Sequence, residues 1–314
     1  MVKVAVAGFG EVGREIVDAI LAEGQHEVTV LSRRNAPDSI PHALNWVKVD
    51  YQDKENLVDV LRGVHTVLSF IVVHQDVGNE SQKNLIDASI KAGVKRFAPS
   101  EWSLYVIDDF PFYGGKAVIR EYLKEVNKAR KVLEYCSFVP GVFMDYLGPP
   151  EKLSKNLSHT QQFMDFKNCR AILPEDSDAT VSFTTVGDVS KLVTKALSYE
   201  GEWPAVGGIA CNKITLSELL ELGEKIRGRK FSVERVKLDD LKAGKLKTSW
   251  IPSADHPAIA PEQLRAAAEM FTTYSLLSIH RGDLDLPDQW NRLLPDFQYV
   301  SLEDFLRNSW EKEF

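Results

Sequence analysis

The stretch Val2-Lys3-Val4-Ala5-Val6-Ala7-Gly8-Phe9-Gly10-Glu11-Val12-Gly13 decides how the rest of the chain is read. Val2–Ala7 is a short apolar run of the kind that forms a buried parallel strand. It breaks at Gly8 and resumes as Glu11–Glu23, where Val12, Ile16, Val17, Ile20 and Leu21 recur at helical spacing. A strand, a Gly-x-Gly-x-x-Gly turn and a helix in direct succession make a phosphate-binding junction. Gly8 permits the tight turn, Gly10 lets backbone approach a pyrophosphate, and Gly13 lets helix and strand pack closely. The helix start adds free N–H groups and the positive end of its dipole.

The same rhythm continues outward. Glu27–Leu31, Trp46–Val49, Val64–Val73, Lys95–Ala98 and Val132–Val139 read as strands. Lys54–Arg62, Asn79–Ala92 and Gly115–Lys128 read as the helices between them, with Asp53 and Gly93 as caps. Such alternation predicts a Rossmann-type, doubly wound parallel sheet. The later half is less regular. Helices are expected at Val186–Ser198, Leu216–Ile226, Pro261–His280 and Ser301–Lys312, and strands at Ala205–Ala210 and Lys230–Val236. The expected organisation is a nucleotide-binding domain over residues 1–150, with segments near 171–227 completing it. Residues 151–314 would form mainly a smaller α+β lobe for substrate.

The end of the second strand speaks to the choice of dinucleotide. An NAD site places an acid there for the ribose 2′-hydroxyl. Here the chain reads Leu31-Ser32-Arg33-Arg34-Asn35, with two guanidinium groups and no carboxylate. Arginine can grip a 2′-phosphate with several donors, so NADP(H) is the expected cofactor. Asp50, after the third strand, can approach the adenine or cap a turn.

Composition narrows the classes. The chain has 314 residues, 44% hydrophobic and 26% charged, with a net charge of -7. That size allows a large core, and the acidic balance disfavours nucleic acid as a partner. No apolar stretch reaches membrane-span length and no signal peptide opens the chain. Cys136, Cys169 and Cys211 are scattered and form no CxxC, which fits free thiols in the cytoplasm. No histidine pair has metal-ligand spacing and no G-x-S-x-G elbow occurs. No metal is expected, and the oligomeric state is left open.

Four segments together carry a family resemblance. They are the glycine turn, Val94-Lys95-Arg96-Phe97-Ala98-Pro99-Ser100-Glu101-Trp102, Lys116-Ala117-Val118-Ile119-Arg120, and Phe183-Thr184-Thr185-Val186-Gly187-Asp188-Val189. The chain resembles the NmrA-like and isoflavone-reductase-like branch of the atypical short-chain dehydrogenases/reductases. Short-chain dehydrogenases at large use Tyr-x-x-x-Lys, and Tyr113-Gly114-Gly115-Lys116 is one residue short of it. In the isoflavone-reductase-like branch the lysine stands without that tyrosine. The resemblance implies NADPH-dependent reduction of a small secondary-metabolite-type molecule.

The expected catalytic residue is Lys116, which follows two glycines at a helix start, where dipole and burial both lower a lysine pKa. Expected around the cofactor are Gly8, Phe9, Gly10, Glu11, Val12, Gly13, Ser32, Arg33, Arg34, Asp50, Ser69, Phe70, Pro99, Ser100, Lys116, Pro140 and Phe143. Glu101 can tie down its own loop. The aromatics Trp102, Tyr105, Phe110, Phe112, Tyr113, Phe143 and Tyr146 are candidates to stack on a flat substrate, each with core packing as its alternative. The expected reaction is hydride transfer to a C=C, C=O or C=N bond with Lys116 handling the proton. Two alternatives stay open: an NADP(H)-dependent cyclase or isomerase, and a dinucleotide-sensing regulator without turnover.

Overall fold

In the computed structural model, which describes residues 1–104, 110–111, 113–149, 151, 154–253 and 259–310, the opening apolar run lies in the middle of a parallel sheet. The first elements are β1 (Lys3–Ala7), α1 (Glu11–Glu23), β2 (Glu27–Ser32), β3 (Leu44–Lys48), α2 (Lys54–Leu61), β4 (Thr66–Ser69), α3 (Glu80–Ala92), β5 (Arg96–Ala98), α4 (Gly114–Val126), β6 (Glu134–Tyr135) and β7 (Ser137–Val139). Six strands form one sheet in the order β3-β2-β1-β4-β5-β6, parallel at every pairing. This is the doubly wound Rossmann-type arrangement. The strand order reverses between β1 and β4, which opens a crevice at their carboxyl ends.

Local chemistry explains the elements. Val4–Ala7 are buried in β1, and α1 buries Ile16, Val17 and Ile20. Gly24, in the left-handed region at φ 69°, ends α1. The Asp53 carboxylate accepts from Asn56 N–H (3.0 Å) and starts α2. Leu57, Leu61, Leu85, Phe97, Ile119 and Leu123 close a core in which α2, α3 and α4 meet the sheet.

The chain divides into two compact units, residues Met1–Val139 with Val189–Gly208, and Pro140–Asp188 with Ile209–Phe314. In the first, the returning strand Val206–Gly208 pairs parallel with β7. Arg96 fastens that return. Its guanidinium donates to Glu134 Oε1 (2.7 Å), to the carbonyl of Tyr199 (2.7 Å) and to that of Gly201 (2.6 Å), and lies 5.1 Å over the Trp203 ring.

The second unit holds two small sheets. Arg170–Pro174 pairs parallel with Ser232–Val236 and antiparallel with Met164–Asp165. Thr180–Thr184 pairs antiparallel with Asn212–Thr215 and parallel with Val142–Phe143. A capping box, Thr215 with Glu218, starts the helix Leu216–Arg227. The helices Leu264–Arg281 and Leu302–Trp310 follow. No helix among the described residues is long and apolar enough to cross a membrane.

Some elements differ from expectation. The fourth strand is Thr66–Ser69 rather than Val64–Val73. Phe70 N–H still bonds to Ala7 (2.7 Å), but Val73–Gln75 turns into a 3-10 helix that packs beside α4. Apolar continuity there marks that turn, not a longer strand. The strands Val142–Phe143, Met164–Asp165, Arg170–Pro174, Thr180–Thr184 and Asn212–Thr215 have no counterpart in the sequence reading. With two to five residues each and distant partners, they are too short to show a period.

Candidate functional site

The glycine turn sits at the carboxyl end of β1, at the reversal of strand order. Gly8 has φ 95°, and a Cβ there would lie 2.9 Å from the carbonyl oxygen of Phe70, so only glycine fits. A Cβ on Gly13 would meet the Gly8 carbonyl at 3.1 Å and the Phe70 ring at 3.3 Å. Gly10 differs: a Cβ there would meet nothing within 4 Å. Gly10 also precedes α1 with no side chain capping the helix. The space over Gly10 and the uncapped helix start fit a pyrophosphate.

Beside the turn, Phe9 is half-buried, as are Glu11 and Val12 on the first turn of α1. Arg33 and Arg34 follow β2 with exposed side chains. The Ser32 hydroxyl accepts from Arg34 N–H (3.1 Å), and Trp46 Nε1 donates to the Arg34 carbonyl (3.0 Å). Trp46 also meets Phe9 edge-on at 5.4 Å, a contact that the sequence reading missed. Asp50 is exposed, and its carboxylate accepts from Gln52 N–H (2.9 Å). Of the two roles left open for it, turn capping is the one with a geometric basis.

At the end of β4, Ser69 is fully buried and Phe70 half-buried. The Phe70 ring stacks on Trp102 (4.5 Å), and Trp102 Nε1 donates to the Ser69 carbonyl (2.7 Å). Trp102 also lies parallel to Phe138 at 5.4 Å and takes φ 38°, a costly value for tryptophan. It is buried, so this indole packs the first unit rather than offering an open ring face. Phe110 is likewise core, tilted on Tyr113 at 4.8 Å. Tyr105 and Phe112 lie outside the described residues.

At the end of β5, Pro99 is buried and Ser100 half-buried, with Ser100 N–H donating to Gln82 Oε1 (2.8 Å). Glu101 and Lys116 make a buried charged cluster, at 2% and 5% exposure. Lys116 Nζ donates to the Glu101 backbone carbonyl and lies 4.2 Å over the Tyr113 ring. The Arg120 guanidinium, one helical turn on, stands 3.3 Å from the Glu101 carboxylate. Burial pushes the Lys116 ammonium down to about 8; the Glu101 carboxylate opposes this and Arg120 adds to it. Burial raises the Tyr113 phenol, against a hydrogen bond with Ser103 that lowers it. Gly115 has a packing reason, since a Cβ there would lie 2.5 Å from Asn79 Oδ1 and from Val73 Cγ1. Neither Glu101 nor Arg120 was assigned an electrostatic role from the sequence. They lie 15 residues before and four after Lys116, and only folding brings all three together.

In the second unit, Phe143 is buried and meets half-buried Tyr146 edge-on at 5.9 Å. Pro140 precedes Gly141, whose φ of 76° goes with a close approach to the Ser182 carbonyl. The Phe183–Val189 motif is structural here. The Asp145 carboxylate accepts from Val186 N–H (2.8 Å), Thr185 Oγ1 from Asp188 N–H (2.9 Å), and Asp188 Oδ2 from Val300 N–H (2.8 Å).

The NmrA-like family model matches residues 2–306. The chain belongs to the NmrA-like family. Among relatives of this NmrA-like protein is Oxidoreductase swnN of Metarhizium robertsii, 28% identical over 99% of this chain and 98% of its own length. Two solved structures share the fold. AtPrR2 with NADP+ and (+)pinoresinol has a TM-score of 0.67 at 21% identity, covering 98% of each chain. Isoflavone reductase has a TM-score of 0.68 at 18% identity, also covering 98% of each.

Proposed function

We propose that this NmrA-like protein is an NADPH-dependent reductase of a small aromatic or polycyclic molecule, with Lys116 as its catalytic residue. The observation that carries the reading is the buried Lys116 ammonium, held by the carbonyl after β5 with its pKa lowered to about 8. A lysine in that range both holds and releases a proton near neutral pH. The cofactor reading draws on the open space over Gly10, the uncapped start of α1 and the exposed Arg33 and Arg34. It draws also on AtPrR2, a structural relative solved with NADP+.

Backbone N–H groups of Gly10–Val12 bind the pyrophosphate, while Arg33, Arg34 and the Ser32 hydroxyl receive the 2′-phosphate. NADPH, when bound there, would supply the hydride for one end of a C=C, C=O or C=N bond and be oxidised to NADP+. Lys116 gives its proton to the other end, so the product gains two hydrogens, and solvent returns the proton to the amine. Glu101 orients the ammonium through its carbonyl. Tyr113, half-buried with its ring against the Lys116 ammonium, gives this part of the site an aromatic character that suits an aromatic substrate.

The test is NADPH oxidation with a panel of aromatic ketones, enones and lignan-type substrates, for wild type and Lys116→Ala. The expected result is turnover by wild type, with loss of about 100-fold or more in kcat for the variant and little change in NADPH affinity. Full turnover by Lys116→Ala refutes the catalytic assignment. No binding of either dinucleotide refutes the cofactor assignment.

A further inference from the structure

A run of contacts joins the glycine turn to the arginine loop through a residue that belongs to neither. Arg14 Nε donates to the Phe9 carbonyl (3.2 Å), and its guanidinium lies 5.3 Å over the Phe9 ring. The Phe9 ring meets the Trp46 indole edge-on at 5.4 Å. Trp46, on the edge strand β3, then donates from Nε1 to the Arg34 carbonyl at 3.0 Å. The Ser32 hydroxyl takes the Arg34 N–H at 3.1 Å. The Arg34 backbone is thus anchored at both its N–H and its carbonyl, although residues 33–39 around it are exposed.

That arrangement has a physical consequence. An exposed loop must lose conformational freedom before its arginines grip a ligand, and anchoring the backbone beforehand reduces that loss. Tryptophan suits the task because its ring carries an N–H donor at the far edge while the ring face and edge remain free for Phe9. Phenylalanine would keep the ring contact and lose the donor.

We propose that Trp46 is a positioning residue for cofactor discrimination: through the Arg34 carbonyl it holds the Arg33–Arg34 turn in the arrangement that receives a phosphate monoester on the adenosine ribose. The inference rests on the NADP(H) reading given above. NADH lacks that phosphate, so the Trp46 hydrogen bond contributes to NADPH affinity alone.

The test measures Kd for NADPH and for NADH at one fixed ionic strength in wild type, Trp46→Phe, Arg34→Ala and the double variant. Losing one hydrogen bond weakens NADPH binding about fivefold in Trp46→Phe and leaves NADH within about twofold. In the Arg34→Ala background the same change has a smaller effect on NADPH, because the backbone carbonyl persists but only Arg33 is left for the anchored turn to position. The ligand-free unfolding transition of Trp46→Phe falls by no more than a few degrees, the share of one exposed hydrogen bond. Equal weakening of both dinucleotides, an undiminished effect in the Arg34→Ala background, or a ligand-free transition lowered by more than that would each show a general structural role and overturn the proposal. Wild type that prefers NADPH with Trp46→Phe unchanged overturns this inference alone. Wild type that binds neither dinucleotide overturns the cofactor reading along with it.

Discussion

Replacing Lys116 by methionine should make the protein more stable at neutral pH, and the gain should fade as pH rises. Lys116 is 5% exposed and its pKa falls from 10.5 to about 8. The fold therefore prefers the neutral amine. A shift of that size corresponds to about 3 kcal/mol of differential interaction between the protonation states. Between about pH 8 and pH 10.5 the unfolded chain binds more protons at this residue than the folded one does, so stability rises with pH across that window. Below pH 8 the whole penalty of a buried ammonium is present, about 3 kcal/mol; by pH 10 linkage leaves about 1 kcal/mol.

Methionine fills a similar volume without charge, but it leaves the Glu101 carbonyl without its donor, at a cost of about 1 kcal/mol. The net expectation is a gain of about 2 kcal/mol for Lys116→Met at pH 7, falling to about zero at pH 10. Urea unfolding of wild type and variant at both pH values measures it. A companion measurement follows the ε-carbon resonances of lysine-labelled protein. One resonance, absent from Lys116→Met, should titrate near 8, while exposed lysines titrate near 10.4. A variant that is destabilised by the same amount at pH 7 and pH 10, or a Lys116 resonance titrating above 10, would refute the reasoning.

Two further substitutions separate function from fold. Gly10→Val should leave unfolding within about 0.5 kcal/mol of wild type, since φ is -80° and nothing lies within 4 Å of the new Cβ, yet weaken NADPH binding about tenfold or more. Equal affinity measured by calorimetry would show that no phosphate passes over Gly10. Arg96→Ala should cost about 3 kcal/mol in chemical unfolding, because Glu134 and two carbonyls lose a largely buried guanidinium. A loss under about 1 kcal/mol would mean that the return of Val189–Gly208 is held by other contacts.

The sequence makes the sheet legible because each βαβ step leaves its own local trace. β1 is an apolar run, α1 a helical period, and Gly8 and Gly24 are the residues that their positive φ values demand. The second unit leaves weaker traces. Val142–Phe143 is a strand only because Thr180–Thr184 lies beside it, and no window of sequence contains both. Trp102 shows the limit for side chains. Its place near the strand ends left both substrate stacking and core packing open, and its contacts with Phe70, Phe138 and the Ser69 carbonyl place it in the interior. Aromatic residues near strand ends face either way, and composition alone does not decide between them.

The lysine shows why a residue can be legible when its chemistry is not. Lys116 stood out through its place at a helix start, and the helix dipole and burial together were the expected causes of a lowered pKa. In the structure burial dominates, and the other influences come from Glu101 and Arg120. These two have opposite effects on the ammonium, and each satisfies the other's buried charge. Removing one alone would take from the other the opposite charge that it faces in the interior, a larger penalty than the pair's own net contribution. The cluster therefore acts as one unit. Arg120 compensates the Glu101 carboxylate, Glu101 turns its carbonyl to Lys116, and the lysine retains a proton that burial makes easy to lose. Such an arrangement costs stability where a methionine would cost less, a cost that the proposed proton transfer would account for.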